Sequence, residues 1–194
     1  MINNFEKISH HMIFESDDDF YFLQILKRKK EHPNLGRNST TIHTYYINSI
    51  DQLMKLEDEI IDLCKFHNAR AYINLNKRSY ENLAFQTLKK VTDIIMNKDY
   101  SHVKHAFNSV CGAYSNTKSD KKWIVDIDYK NNREINKIVN MIDSLQPEGP
   151  KFIDMIETKN GYHVITKSFN RQEFTKQYPE IDIQINNPTV LFIP

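Results

Sequence analysis

Residues 122–129, Lys122-Trp123-Ile124-Val125-Asp126-Ile127-Asp128-Tyr129, decide how the chain is read. Successive side chains of a strand point to opposite faces, so Val125 and Ile127 turn one way and Asp126 and Asp128 the other. The apolar pair needs a core. The two carboxylates stand one pleat apart and repel unless a cation or a donor lies between them. Mg²⁺ and Mn²⁺ take such oxygen ligands and share them with substrate phosphates. Ions held in this way clamp the attacking and leaving oxygens of phosphoryl and nucleotidyl transfer. The plain alternative is two solvated acids on a half-exposed strand.

Downstream, residues 132–145 predict a helix with Ile135, Ile138, Val139 and Ile142 on its inner face, ended by Gln146-Pro147-Glu148-Gly149-Pro150. Residues 152–158 predict a strand, and Asn160-Gly161 a tight turn into a returning strand over 162–169. That turn sets His163 just past the hairpin, with Lys159 close by. A histidine and a lysine beside a carboxylate pair suit a bound triphosphate. The alternative for His163 is a hydrogen bond to a neighbouring strand. A short helix near 171–177 leads to Ile181-Asp182-Ile183-Gln184 and the apolar end Thr189-Val190-Leu191-Phe192-Ile193.

Upstream, Asp17, Asp18 and Asp19 at one end and Lys27, Arg28, Lys29 and Lys30 at the other predict a helix over 17–30, since these charges complement a helix dipole. Residues 32–39 form a loop and 41–49 a strand. Ser49 caps a helix whose Ile50, Leu53, Leu56, Ile60, Ile61 and Leu63 form one stripe. Residues 70–76 predict a strand, and Ser79 opens a helix to about Met96. Alternating strands and helices with one hairpin predict an α/β (α+β) fold, a mixed sheet with flanking helices. The expectation is a single domain, 1–194, in two halves (about 1–115 and about 116–194) around a central cleft.

The bulk numbers narrow the function. The chain has 194 residues, 40% of them hydrophobic and 11% aromatic, enough for a good core. Four glycines, with no GxxxxGK[ST] or GxGxxG, argue against a Gly-rich phosphate loop. The net charge of +1 does not announce nucleic-acid binding, so local clusters must carry it. Lys27, Arg28, Lys29 and Lys30, with Arg37 beyond, are candidates for phosphate-backbone contacts, or else a solvated helix end. Arg70 and Arg78, flanking a predicted strand, are candidates for nucleotide phosphate, or else surface residues. Trp123, Tyr45 and Tyr46 could stack bases, though core packing is the plainer reading. His102 and His105 would share a helical face as a possible ligand pair. Cys64 and Cys111 form no CxxC pair, which predicts reduced thiols and no structural zinc. No signal peptide and no apolar run of the roughly 20 residues a bilayer needs are evident. The expectation is a cytoplasmic protein without a membrane partner.

Taken together, the segments 122–129 and 158–165 carry a resemblance. A hydrophobic strand ending in D-x-D, then a helix, then a strand–turn–strand bearing a small hydroxyl residue, Gly, x, His resembles motifs I and II of the archaeo-eukaryotic primase (primase-polymerase) superfamily. Asp126 and Asp128 match the acid pair, Thr158 stands where serine is usual, Gly161 matches the glycine and His163 the histidine. The resemblance covers roughly residues 122–190. It implies a primase-polymerase-like core with an RRM-like second half, acids that bind two Mg²⁺ or Mn²⁺ ions, and a histidine that contacts nucleotide phosphate beside Thr158 and Lys159. A third acid after a hydrophobic residue is also implied, with Asp182 the match and Asp154 its competitor. The implied partners are a nucleoside triphosphate, a single-stranded nucleic acid template, and helicase or other replication proteins. The Asn-, Ile- and Lys-rich composition fits an AT-rich genome, and a phage or mobile-element member is the kind expected. Metal-dependent nucleotidyl transfer is thus the leading expectation. The alternatives are a degenerate primase-like protein that only binds nucleotide or nucleic acid, and a metal-dependent phosphoesterase.

Overall fold

A computed structural model of the protein describes residues 1–36, 38–113 and 121–194. In chain order the elements are β1 (Ile2–Asn3), α1 (Phe5–Ser9), β2 (Asp19–Lys27), β3 (Thr40–Ile47), α2 (Ile50–Lys55), α3 (Glu57–His67), β4 (Arg70–Ile73), β5 (Arg78–Ser79) and α4 (Tyr80–Met96). A 3₁₀ helix (Tyr100–His105) and α5 (Ala106–Ala113) follow. Then come β6 (Trp123–Ile127), α6 (Asn132–Ser144), β7 (Phe152–Glu157), β8 (Tyr162–Thr166), α7 (Arg171–Gln177), β9 (Asp182–Gln184) and β10 (Thr189–Ile193). Local chemistry sets several starts. Ser49, Ser79, Asn131 and Asn170 each accept a backbone N–H of the first helical turn through the side chain.

The fold is α+β, but the single mixed sheet expected from the sequence is replaced by two sheets in which every pairing is antiparallel. The first runs β1-β10-β4-β2-β3, with β5 on β2. The second runs β7-β8-β6-β9. Its chain order, β6-α6-β7-β8-α7-β9, with β6 and β8 central, is the split βαβ arrangement of ferredoxin-like and RRM-like folds. The last strand, β10, crosses back into the first sheet, so the two sheets are not divided at residue 115.

The helix expected over 17–30 is instead β2, the strand that β3 and β4 flank. The physical reason is burial on both faces. Phe20 and Phe22 pack towards α4 and α5, while Tyr21, Leu23 and Ile25 pack into the main core. Such a strand shows a continuous apolar run with no alternation, and its charged ends imitate a helix dipole.

Both faces of the second sheet are also used. Val125, Ile127 and Val164 meet Ile135, Ile138 and Ile142 of α6 and Phe174 of α7. Ile124, Ile156 and Ile165, on the opposite face, join the main core of α1, α3 and the first sheet. One core cluster therefore draws on residues from 5 to 192. No described helix is long and apolar enough to cross a membrane.

Candidate functional site

A row of side chains runs across the second sheet. Asp126 on β6 lies opposite His163 on β8 and opposite Asp182 on β9. Directly opposite residues share a face, so the row stands on the side that carries Ile124 and Ile165 inward. Beyond the apolar part of that face opens a cleft of about 660 Å³. Leu26, Tyr72 and Val190 of the first sheet line it from one side, and Asp126, Asp128 and His163 of the second from the other. Arg28, Lys30, Arg70, Thr158 and Lys159 complete its charged and hydroxyl lining.

The geometry around Asp126 is specific. His163 Nε2 stands 3.4 Å from Asp126 Oδ1. On the other side of the ring, His163 Nδ1 and the buried Thr189 hydroxyl are 2.9 Å apart. When Thr189 donates to Nδ1, the imidazole proton lies on Nε2 and faces the cleft. The contact with His163 outweighs desolvation and holds the Asp126 carboxyl below its ordinary range, with the charges of His163 and Arg28 and the Gln184 amide adding to the effect. Gln184 Nε2 donates to Asp126 Oδ2 at 3.3 Å and to Asp182 Oδ2 at 3.0 Å. An amide donor thus bridges two carboxylates that would otherwise repel. Asp128, just past the end of β6, is exposed and lines the same cleft.

The turn that presents His163 depends on Thr158 and Gly161. Thr158 N donates to Gly161 O at 2.9 Å, and Gly161 N donates to the Thr158 hydroxyl at 3.2 Å. A Cβ at position 161 would fall 1.9 Å from the Ile127 carbonyl oxygen and 2.6 Å from Tyr129 N. Glycine is needed here because the hairpin turn lies against the end of β6, between the two aspartates.

Other expected residues divide. Arg28, Lys30, Arg70 and Lys159 line the cleft. Arg70 is buried and pairs with Glu31, which also lies 3.3 Å from Lys159. Lys29 instead ties its own loop, donating to the carbonyls of Pro33 (2.6 Å) and Leu35, and Lys27 lies on β2 outside the cleft lining. Arg37 lies outside the described residues. Arg78 is corrected outright. It is fully buried, donates to the carbonyls of Cys111 (2.9 Å) and Asn76, and burial lowers its pKa to about 10. It braces the loop before α4 against α5 and does not reach the cleft.

Of the two competing third acids, Asp182 is the one beside Asp126. Asp154 is tied to His11 at 2.7 Å and Lys7 at 3.3 Å. Tyr46 packs among Phe20, Phe22 and Phe107, and Trp123 against Phe169. Tyr45 donates to Glu59 at 2.7 Å. These aromatic rings are packing groups. His102 pairs with Asp99 at 2.6 Å on the exposed 3₁₀ helix.

Four residues of the site escape the sequence reading: Glu31, Tyr72, Gln184 and Thr189. Gln184 has a signal, because Asp182-Ile183-Gln184 alternates as Asp126 does on its own strand. Glu31, Tyr72 and Thr189 have none, since Glu31 and Tyr72 come to the cleft, and Thr189 to the far side of the His163 ring, through contacts distant in sequence. The Tyr72 hydroxyl, at the cleft, is buried with no partner among the described residues. The chain matches no family model, no curated protein and no solved structure.

Proposed function

We propose that the protein is a metal-dependent nucleotidyltransferase of primase-polymerase type, which takes a nucleoside triphosphate and a single-stranded nucleic acid. The observation that carries this reading is the cleft itself. It gathers two strand-end aspartates, a histidine and four Lys/Arg side chains from both sheets. Acids alone suit a cation and bases alone an anion. The two together suit a polyphosphate bound with its ions.

The donor set for Mg²⁺ or Mn²⁺ would be carboxylates, the hard oxygen ligands these ions take. Asp126, Asp128 and Asp182 would offer hard carboxylate oxygens, and its lowered pKa keeps Asp126 ionised further into acid than an ordinary carboxyl. When bound, the ions would neutralise phosphate charge and activate the attacking oxygen. The chain's own groups would do the rest. His163 Nε2–H would donate to a phosphate oxygen, as would Arg28, Lys30, Arg70 and Lys159. Gln184 would give up its bridge between Asp126 and Asp182.

One observation favours a second reading, binding without transfer. The described residues hold no ready-made group of three metal-ligating side chains, and the Gln184 amide already donates to both Asp126 and Asp182. One experiment separates the two: incorporation of labelled NTPs with Mn²⁺, by primer extension and by primer synthesis. We expect incorporation by the native protein and none by the Asp126→Ala/Asp128→Ala double variant, which should still unfold cooperatively, at a modestly lower temperature because Asp126 gives up its contacts with His163 and Gln184. Activity retained in the double variant removes the metal role. NTP binding without incorporation by the native protein selects the second reading, and phosphoester hydrolysis without incorporation selects a phosphoesterase.

A further inference from the structure

A second cleft, of about 710 Å³, opens on the other side of Arg70. Lys30, Glu31, Arg70 and Lys159 line both clefts, and Lys130 and Glu157 line the second alone. The side chains of the second cleft thus include four cations against two carboxylates, a local excess in a chain whose net charge is only +1. The partition between the clefts is an ion triad. The Glu31 carboxylate is held by the guanidinium of Arg70, whose side chain is 7% exposed, and lies 3.3 Å from Lys159 Nζ. An oxyanion between a buried guanidinium and a lysine is also how a protein grips a phosphate.

We propose that the second cleft extends the candidate site. A single strand of nucleic acid passes from one cleft into the other over Arg70 and Lys159, and its phosphate takes the place that Glu31 occupies. The identity of the strand rests on the proposed nucleotidyl transfer; the groove does not. Glu31 lies in the turn between β2 and β3, not in a sheet, so its side chain can swing away without breaking a ladder. Lys130 now pairs with Glu157 at 2.6 Å, and both are about half exposed, 45% and 47%. Exposed pairs of this kind contribute little, so Lys130 exchanges its carboxylate for a phosphate readily.

The test is binding of a fluorescent oligo(dT) to the full chain, followed by anisotropy against salt concentration in EDTA, where neither metal nor catalysis takes part. Lys130→Ala should weaken binding several-fold. It should also lower the slope of log K against log salt by about 0.7, the value of one phosphate contact on a single strand. Glu31→Gln should tighten binding about tenfold by removing the resident anion. Unchanged affinity and slope in Lys130→Ala overturn the groove. Affinity unchanged or lowered in a cooperatively folded Glu31→Gln protein overturns the displacement. If Glu31→Gln does not fold, Lys130→Glu at the exposed position carries the test, with a larger loss expected and no loss overturning the proposal. Inorganic triphosphate bound as tightly as the oligonucleotide, with no gain from strand length, overturns the strand assignment. Strand binding as described without any NTP incorporation sinks the transfer reading and leaves the groove standing. Incorporation with wild-type strand binding in Lys130→Ala does the reverse.

Discussion

His163 reaches the cleft with one ring nitrogen already committed. Thr189, buried on the first sheet, fixes Nδ1 at 2.9 Å, and Nε2 is left beside Asp126. A ring held from behind suits a donor to phosphate better than a proton carrier, because its orientation is set before the ligand arrives. His163→Ala should therefore weaken NTP affinity more than Mn²⁺ affinity. Loss of a charge-assisted hydrogen bond costs roughly 1.5–3 kcal/mol, or about 10- to 150-fold in binding. His163→Asn should recover part of it, since an amide still donates. Titration of NTP at fixed Mn²⁺ reads this directly. An unchanged NTP affinity in His163→Ala would reduce the histidine to a link between two strands. Asp126 has the complementary position: its neighbours hold its pKa down, so it remains an anion further into acid than an ordinary carboxyl.

The hairpin of β7 and β8 is the element on which the site depends, and Gly161 is its tightest point. Any side chain there meets the backbone of β6 at 1.9 Å, which a rotamer change cannot relieve. Gly161→Ala should push the turn away from Ile127 and Tyr129 and cost at least about 1–3 kcal/mol, as overpacking does. In a chain of this size that is a fall of roughly 3–10 °C in Tm. It should also lower NTP affinity, because His163 and Asp126 separate as the turn shifts. A variant with native Tm and affinity would refute the close approach. Elements with local signals are legible in the amino-acid order alone. Ser49, Ser79 and the Asn-Gly pair mark two helix starts and a turn, and α7 falls on residues 171–177 as expected. Where the signal is not local, legibility ends. β2 is buried on both faces, so it lacks the alternation that marks a strand. Gln146-Pro147 and Lys159-Asn160-Gly161 show where the chain turns. Nothing in the sequence says that β10 leaves its neighbours and pairs between β1 and β4. The site divides in the same way. Asp126, Asp128 and His163 are found by spacing, whereas Glu31 and Thr189 depend on contacts 26 or more residues away.

At the scale of the whole molecule, the segments are tied by carboxylates as well as by the shared core. Asp154 on β7 holds His11 and Lys7 of the N-terminal segment, and Glu31 holds Arg70 and Lys159. Asp19 accepts from Glu15 N, Ser16 N and Lys77. In all three, desolvation acts to raise the pKa but is outweighed: by Lys77 and two backbone amides at Asp19, by Arg70 and Lys159 at Glu31, and by His11, the Met155 amide and Lys7 at Asp154. Asp126 is lowered chiefly by His163. A carboxyl whose folded pKa lies below its unfolded value releases its proton more easily in the native state. Its stabilisation is complete above the unfolded pKa, about 3.9 for Asp and about 4.3 for Glu, and disappears as pH falls through the folded value. These groups therefore act together in a window below about pH 4. The urea midpoint should change little between pH 7 and pH 5 on their account and fall steeply from pH 4 to pH 2.5. Asp154→Asn tests the assignment, since it removes one carboxyl from a contact that joins α1 and the segment after it to β7. The variant should start below the native protein at pH 7 and lose less between pH 4 and pH 2.5, so that the two curves converge in acid. Parallel curves would mean that the tie between His11 and Asp154 contributes nothing to the fold. A steep native fall already between pH 7 and pH 5 would move the acid sensitivity from the carboxylates to the histidines.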